Sequence, residues 1–566
     1  MNLNLSSKKE RTYDAIVVGT GISGGWAAKE LTEKGLDTLV LERGRNVEHV
    51  KDYPTMHKEP WELPYANKLP AEEMKHYKKQ SRTGYTIRQD TKHWWVKDTD
   101  QPYEEKQRFD WIRGYHVGGR SIMWGRQSYR LGDIDFAANK REGIAVDWPI
   151  RYKDIASWYD YVEKFAGISG KKEGLPQLPD GQFLPPMKLN CVEKHLQSNI
   201  AEQYDDRILT IGRVANLTQL HNNRGQCMYR NRCMRGCPYG AYFSSNAATI
   251  PAAAKTGNMT LRPHSVVNSV IYDEEQGKAT GVRVIDAESK ETVEYFADVI
   301  FLNASTVNTA LILLNSTSNR FPDGLGNDSG QLGRNMMDHH FRIGANGKYN
   351  GFNDKYYRGR RPNGIYIPRY RNLNGDKRDY LRGFGYQGSG SREGWERGIR
   401  ELSIGSELKG IISEPGSWKM GLLGFGECLP YEDNRMWLNR DKTDKWGQPT
   451  VVFDCDFKEN EMKMREDMKS DAAEMLERAG FTDIQTFDDI GGMGLGIHEM
   501  GTARMGRDPK TSVLNKWNQI HACKNVFVTD GSCMTSSACQ NPSLTYMALT
   551  ARAADYAANE LEKGNL

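Results

Sequence analysis

Two groups of residues in this 566-residue chain carry chemistry by their type and spacing. The first is Gly19-Thr20-Gly21-Ile22-Ser23-Gly24, with Glu42 further on. Gly19 permits a tight turn, Gly21 lets backbone approach a pyrophosphate, and Gly24 lets a helix pack closely on a strand. The free N–H groups of a helix start attract phosphate oxygens, and the Glu42 carboxylate suits ribose hydroxyls. The second group is Cys227, Cys233 and Cys237, followed by Pro238. Three thiols this close, in a chain with only nine cysteines, point to a soft metal centre rather than a disulfide framework. Zinc normally takes four ligands, and His221 or Cys191 would supply the fourth. Three thiols with a proline after the last fit an iron–sulfur centre better, a [3Fe–4S] cluster or a [4Fe–4S] cluster with one exposed iron. Free thiols are the third option. The other six cysteines read as buried or inert.

These residues need particular elements around them. Ala15–Val18 reads as a short buried parallel strand, Gly25–Leu31 as a helix, and Thr38–Leu41 as a second strand ending in Glu42. Strand, glycines, helix, strand and acid in that order make a dinucleotide site, against which stands a purely structural glycine turn. The Leu41-Glu42-Arg43-Gly44 turn favours FAD over NAD. Val266–Ile271 and Gly281–Ile285 alternate like strands of a small antiparallel sheet, Val299–Ala304 returns to a buried strand, and Thr309–Leu314 and Glu461–Ala479 read as helices.

Composition sets limits. The net charge is +4, near neutral for this length, which argues against a dedicated nucleic-acid binder. The nine Lys/Arg and five Tyr of residues 355–382 read as a solvated face, with a phosphate-binding surface as the sharper alternative. No run of about 18 apolar residues exists, so no transmembrane helix is expected. Met1–Arg11 is polar, without the apolar core of a secretory signal. The cytoplasm is the default compartment, with export on a partner's signal left open.

Several segments together resemble the glucose–methanol–choline (GMC) family of FAD oxidoreductases. They are the glycine motif with Glu42; Gly118 to Gly125; Trp148-Pro149 with Trp158-Tyr159; Leu332 to His339; His498 to Gly506; Val528 to Ser532; and Asn541 to Thr545. The resemblance implies a mixed α/β fold, a Rossmann-like FAD-binding domain interleaved with an antiparallel-sheet substrate domain. It divides the chain into 11–150 (FAD-binding, with 46–110 an excursion or lid), 151–220 (substrate segment), 221–340 (cysteine segment and FAD-binding), 341–485 (substrate domain) and 486–560 (FAD-binding, with the catalytic residues). It implies FAD contacts from Gly19, Gly21, Gly24, Glu42, Arg43, Gly119, Ser121, Trp124, Gly125, Val267, Ala304, Asp530, Gly531, Asn541, Pro542 and Thr545. Met123 stands where some relatives attach FAD covalently through His, so FAD is expected to be non-covalent.

By the same resemblance His498 is the base that takes the hydroxyl proton, Asn541 orients that hydroxyl, and hydride passes from carbon to flavin N5. His116, His339 and His340 read as structural or flavin-adjacent, and Gln387 as a candidate substrate contact. The cysteine spacing resembles that of bacterial sugar dehydrogenases within the family. It implies a dehydrogenase of the glucoside 3-dehydrogenase kind, which oxidises a pyranoside C3 hydroxyl and relays electrons through the cluster. The same resemblance implies a small subunit and a cytochrome c acceptor. The alternatives are C1 or C2 oxidation of glucose, and a non-catalytic flavoprotein with a structural metal site.

Overall fold

The computed structural model describes residues 12–357, 359, 361–394 and 404–566; the Met1–Arg11 stretch lies outside the described residues. The chain is of the mixed α/β class. Thr12–Val18 is the central strand of the larger sheet, and Ala15, Ile16 and Val17 are buried without interruption, the pattern of a parallel strand covered on both faces. It pairs in parallel with Thr38–Leu41 on one side and Thr292–Leu302 on the other. Met259–Arg262 extends the parallel set at one edge and Cys523–Val528 at the other. The Ser265–Asp273 and Lys278–Asp286 hairpin joins antiparallel to the first half of Thr292–Leu302, and Gln519–Ile520 completes eight strands.

One face of this sheet is covered by the helices Ile22–Glu33 and Ser543–Glu562, whose Ala27, Ala28, Ala553, Ala554 and Ala557 let them lie close to Val17, Val40 and Phe301. The first helix begins three residues before the expected Gly25, because Gly21 serves as its N-cap. The other face packs on the apolar helix Thr306–Asn315, through Leu311 and Leu313 among others.

The second sheet has six antiparallel strands in the order Thr482–Asp488, His340–Tyr349, Trp418–Gly426, Phe384–Arg392, Ile365–Ile367, Thr210–Ile211. Strand alternation sends Tyr386, Met420 and Leu422 to one face, against Met464, Met468 and Met475 of the helix Glu459–Arg478 and Val192 and Leu196 of the helix Cys191–Gln203. From the opposite side Phe341, Gln387 and Phe425 face the carboxyl edge of the larger sheet, across one cavity.

Residues 46–110 form short helical turns around an aromatic core that includes Tyr53, Trp94 and Trp95. They are bound to the cysteine segment: Trp94 Nε1 donates to the Met234 carbonyl at 3.1 Å, and Arg235 pairs with Asp90 at 2.8 Å. The basic stretch 355–382 is not a solvated face as expected: Arg369, Arg371, Arg382, Tyr366, Tyr370 and Tyr380 are buried, and Arg361, Arg371, Arg378 and Arg382 each pair with carboxylates of this chain; Arg358 and Arg360 lie outside the described residues. No helix among the described residues is long and apolar enough to cross a membrane.

Gly24 is a tight point of this packing. A Cβ there would stand 1.9 Å from the Gly19 carbonyl oxygen, which is backbone and cannot swing away. Gly24→Ala is expected to destabilise the fold by on the order of 2 kcal/mol, read as a lower midpoint in urea unfolding. An unchanged midpoint would mean that the helix can lift from the turn at no cost.

Candidate active site

A cavity of about 440 Å³ opens at the carboxyl ends of the parallel strands, where ligands bind in open α/β sheets. Gly19 follows the first strand with φ +95°, a conformation that favours glycine, and a Cβ there would meet the Asn303 carbonyl oxygen at 2.4 Å. Gly21 differs: no protein atom lies within 4 Å of where its Cβ would be, and the residue borders the cavity. The helix behind it has no side-chain cap, so its first N–H groups stay available to an anion. Glu42 is buried at the end of the second strand and accepts from Thr20 N at 3.2 Å and Gly44 N at 3.0 Å. Burial pushes its carboxyl upward, against the hydrogen bonds from Thr20 and Gly44. Arg43 lies between the Tyr115 and Trp446 rings and pairs with Asp444 at 2.7 Å, locking the turn to the Arg435–Asp454 hairpin. Asp530, after the Cys523–Val528 strand, accepts from Thr309 Oγ1 at 2.6 Å.

The far end of the cavity is assembled by one carboxylate. Asp338 Oδ1 accepts from His339 N at 2.9 Å and His498 N at 3.1 Å, while Oδ2 accepts from Gly496 N at 2.9 Å. Burial and the nearby Glu499 raise the Asp338 carboxyl to about 7. The backbone is strained beside it, since Ile497 is β-branched yet has φ +59°. His498 is half-buried with one edge on the cavity. Its Nδ1 lies 2.9 Å from His339 Nδ1, and its Nε2 lies 3.5 Å from Asn541 Nδ2. Asn541 Oδ1 accepts from Gln387 Nε2 at 2.6 Å, so the second sheet reaches the same point. Burial, with His339 and Arg120 beside it, holds the His498 imidazole well below its ordinary value. Arg120 itself is neutralised by Glu499, through contacts of 3.1 and 2.9 Å. A neutral imidazole and an amide on one wall of a largely apolar cavity can share an alcohol oxygen, the first as proton acceptor and the second as donor.

Cys227, Cys233 and Cys237 line a second, smaller cavity of about 30 Å³. Burial raises the Cys227 thiol to about 11 and also raises that of Cys237. His221 instead faces the Lys164 carbonyl at 2.8 Å, and Cys191 begins the Cys191–Gln203 helix; neither lines this cavity. Among the described residues no group of three His, Cys, Asp or Glu side chains is placed to hold one metal ion. This gives structural support to neither an iron–sulfur cluster nor zinc, and zinc lacks its fourth ligand as well. The two cavities share a wall: Cys233 lines the smaller and Met234 the larger, and the Tyr242 hydroxyl reaches the Ile122 carbonyl at 2.5 Å and the Cys233 carbonyl at 3.2 Å.

Two family models, both described as GMC oxidoreductase, match residues 13–341 and 430–550. The chain belongs to the GMC oxidoreductase family. It is 27% identical to 2-methyl-1,2-propanediol dehydrogenase of Mycolicibacterium austroafricanum, over 96% of this chain and 94% of that one. It is 26% identical to the fructose dehydrogenase large subunit of Gluconobacter japonicus, over 99% and 100%. It is 25% identical to paromamine 6'-oxidase of Streptomyces fradiae, over 98% and 92%. The fold is similar to that of pyridoxine 4-oxidase from Mesorbium loti, with a TM-score of 0.59 and 14% identity over 96% of this chain and 98% of that one. The protein is thus a GMC oxidoreductase acting on CH–OH groups, and enzymes of this family bind FAD.

In this GMC enzyme, most of the residues expected at the cofactor border the main cavity: Gly19, Gly21, Glu42, Arg43, Gly119, Ser121, Trp124, Gly125, Val267, Ala304, Asp530, Gly531 and Asn541, together with His498. Met123 borders it too, and it has no imidazole nitrogen for the His-type bond to flavin. Three do not border it. Gly24 packs on the turn. Pro542 caps the Ser543–Glu562 helix, and the helical period turns Ser543 and Tyr546 toward the cavity, so Thr545 points away to bond the Tyr159 hydroxyl at 2.7 Å. His116 and His340 are buried beyond the cavity border, whereas Gln387 stands on it. Sequence reasoning missed the Arg120–Glu499 pair and Asp338 as partners, although each lies inside a legible motif.

The low proton affinity of His498 gives a pH prediction. A base that is neutral in its working form, and whose folded pKa is depressed, keeps that form as the pH falls through its ordinary value of about 6.5. The kcat/KM of alcohol oxidation is expected to show no loss attributable to His498 until the pH is well below 6.5. A His498-dependent acid limb centred near 6.5 in a dye-reduction assay would contradict the burial argument.

Proposed function

We propose that this protein is an FAD- and iron–sulfur-dependent sugar dehydrogenase of the GMC family that oxidises a secondary hydroxyl, by preference C3 of a glucoside, to the keto sugar. The observation that carries the reading is the meeting of His498 Nε2 and Asn541 Nδ2, 3.5 Å apart on the wall of the main cavity. An alcohol oxygen between them donates its proton to the imidazole and accepts from the amide, which fixes the direction of its C–H bond. Gln387 holds the amide, and Asp338 holds the backbone of both histidines. Trp95, Phe341 and Phe425 border the same space and offer apolar surface to a pyranose ring.

The residues present fit FAD. Gly21 and the uncapped helix start would take the pyrophosphate, and Glu42 the ribose. Gly119, Ser121, Trp124, Asp530 and Gly531 would surround the rest, without a covalent bond at Met123. FAD supplies a two-electron acceptor for hydride.

The cysteine trio fits a cluster better than an ion. Thiolates sharing one zinc at Zn–S of about 2.3 Å stand roughly 3.8 Å apart, whereas in a cluster each binds a different iron and they lie further apart. What supports the reading is that Cys227, Cys233 and Cys237 all line one small cavity. A [3Fe–4S] cluster supplies one-electron carriage toward an outside acceptor, which favours a dehydrogenase over an oxidase. A cytochrome c acceptor and a small subunit belong to the same proposal; one relative is itself named a large subunit. Export with a signal-bearing subunit would place the enzyme in the periplasm.

Incubation of the purified enzyme with methyl glucoside and an artificial dye is expected to yield the 3-keto product by NMR. A C1 or C2 product would move the assignment to glucose oxidation, and no turnover of any sugar would remove it. His498→Ala is expected to keep its FAD and lose at least about a hundredfold in flavin bleaching by sugar. Cys233→Ser is expected to lose the cluster's visible absorbance and EPR signal while keeping flavin absorbance. A wild type with neither signal would leave the trio as free thiols.

A further inference from the structure

We propose that His339 sets the tautomer of His498, as a link in a one-directional hydrogen-bond chain from Gln387 through Asn541, His498 and His339 to the Ala538 carbonyl. This rests on the reading of His498 as the base, and it makes His339 a positioning residue.

The sense of the chain follows from the carbonyl at its far end. His339 Nε2 lies 2.8 Å from the Ala538 carbonyl oxygen, which can only accept, so the ring hydrogen of His339 sits on Nε2. A neutral imidazole carries one ring hydrogen, which leaves His339 Nδ1 with a lone pair. The 2.9 Å contact between the two Nδ1 atoms then requires His498 Nδ1 to be the donor. His498 Nε2 is therefore bare, and it is the atom on the Asn541 side. From the other end, Gln387 Nε2 donates to Asn541 Oδ1, which leaves the Asn541 amide nitrogen facing His498. The carbonyl end requires hydrogen on Nδ1 and a lone pair on Nε2 of His498, and the amide orientations at the other end match that state. Each group in the chain donates in the same sense, an arrangement in which successive bonds polarise one another.

Two features keep the chain in this state. His339 must be neutral, because a doubly protonated ring would donate at Nδ1, force His498 to accept there and shift the His498 hydrogen to Nε2. Burial holds the His339 imidazole down to about 4. The neighbouring Asp338 carboxylate accepts three backbone N–H groups, and no bond from it to the His339 ring accompanies them. The terminal acceptor is also fixed, since Ala538 is buried with φ +57°, a costly conformation for a non-glycine residue that the surrounding fold imposes. In serine-protease triads the group behind the catalytic histidine is a carboxylate, which also stabilises the imidazolium. Here it is a neutral ring, which orients the base and adds no charge to it.

The test reads the tautomer directly. In 15N-histidine-labelled holoenzyme, multiple-bond NMR correlations assigned with a His498→Ala sample are expected to place the His498 hydrogen on Nδ1. His339→Phe keeps the ring volume and removes the acceptor. It is expected to lower kcat at least about tenfold, with KM within about threefold and flavin absorbance retained, and to move the His498 signals toward a tautomer mixture. His339→Asn, with an acceptor near the Nδ1 position, is expected to recover part of the loss. Hydrogen on Nε2 of His498 in the wild type, or a wild-type kcat in His339→Phe, would overturn the proposal. If His339→Phe does not fold, the wild-type spectrum decides alone. A wild type with hydrogen on Nδ1 that oxidises no alcohol would uphold the tautomer and sink the functional reading, so the two failures are separable.

Discussion

The functional arrangement depends on a register. Val18 pairs with Leu41 on one side and Leu302 on the other, and Leu302 pairs with Val528, so four parallel strands end at one level. The residues directly after those ends therefore share one plane: Gly19 and its turn, Glu42, Asn303 and Ala304, then Asp530 and Gly531. Because side chains alternate along a strand, a slip of one residue would exchange the two buried faces. The alanine-rich helix contacts on one face and the Thr306–Asn315 helix on the other make that exchange costly.

A second constraint brings the chemistry to this plane. The antiparallel sheet approaches the same edge and brings Gln387, Phe341 and Phe425 with it. Asp338, just ahead of that sheet's His340–Tyr349 strand, ties the segment to residues 496–498 through two backbone bonds, from Gly496 N and His498 N. The Phe341 side of the cavity and the His498 imidazole are thereby held by one buried side chain. This gives a physical reason for an acid directly before a histidine in a segment that does not border the main cavity.

Distance along the chain decides how much of this was legible in the sequence. The strand–glycine–helix–strand start could be read because every contact that defines it is local, and the cysteine trio because eleven residues contain it. The fold class and the role proposed for His498 needed the resemblance, since the imidazole meets Asn541 43 residues away and His339 159 residues away. Arg120 and Glu499 are 379 residues apart, and neither motif betrays the other. Thr545 turns away from the cavity for a different reason. A motif gives residue types but not helical phase, and once Pro542 starts the helix the cavity sees Ser543 and Tyr546 instead. The zinc alternative failed because neither His221 nor Cys191 shares the trio's cavity.

The wall between the two cavities has a practical consequence for anyone reshaping this enzyme. Met234 and Trp95 border the large chamber, yet the Met234 carbonyl is held by Trp94 and its chain neighbour Cys233 belongs to the small one. Enlarging the chamber from that side to admit a bulkier molecule would loosen the cysteine loop as well. Redesign of selectivity has room on the Phe341 and Phe425 side, where the supporting strands belong to a separate sheet with its own core.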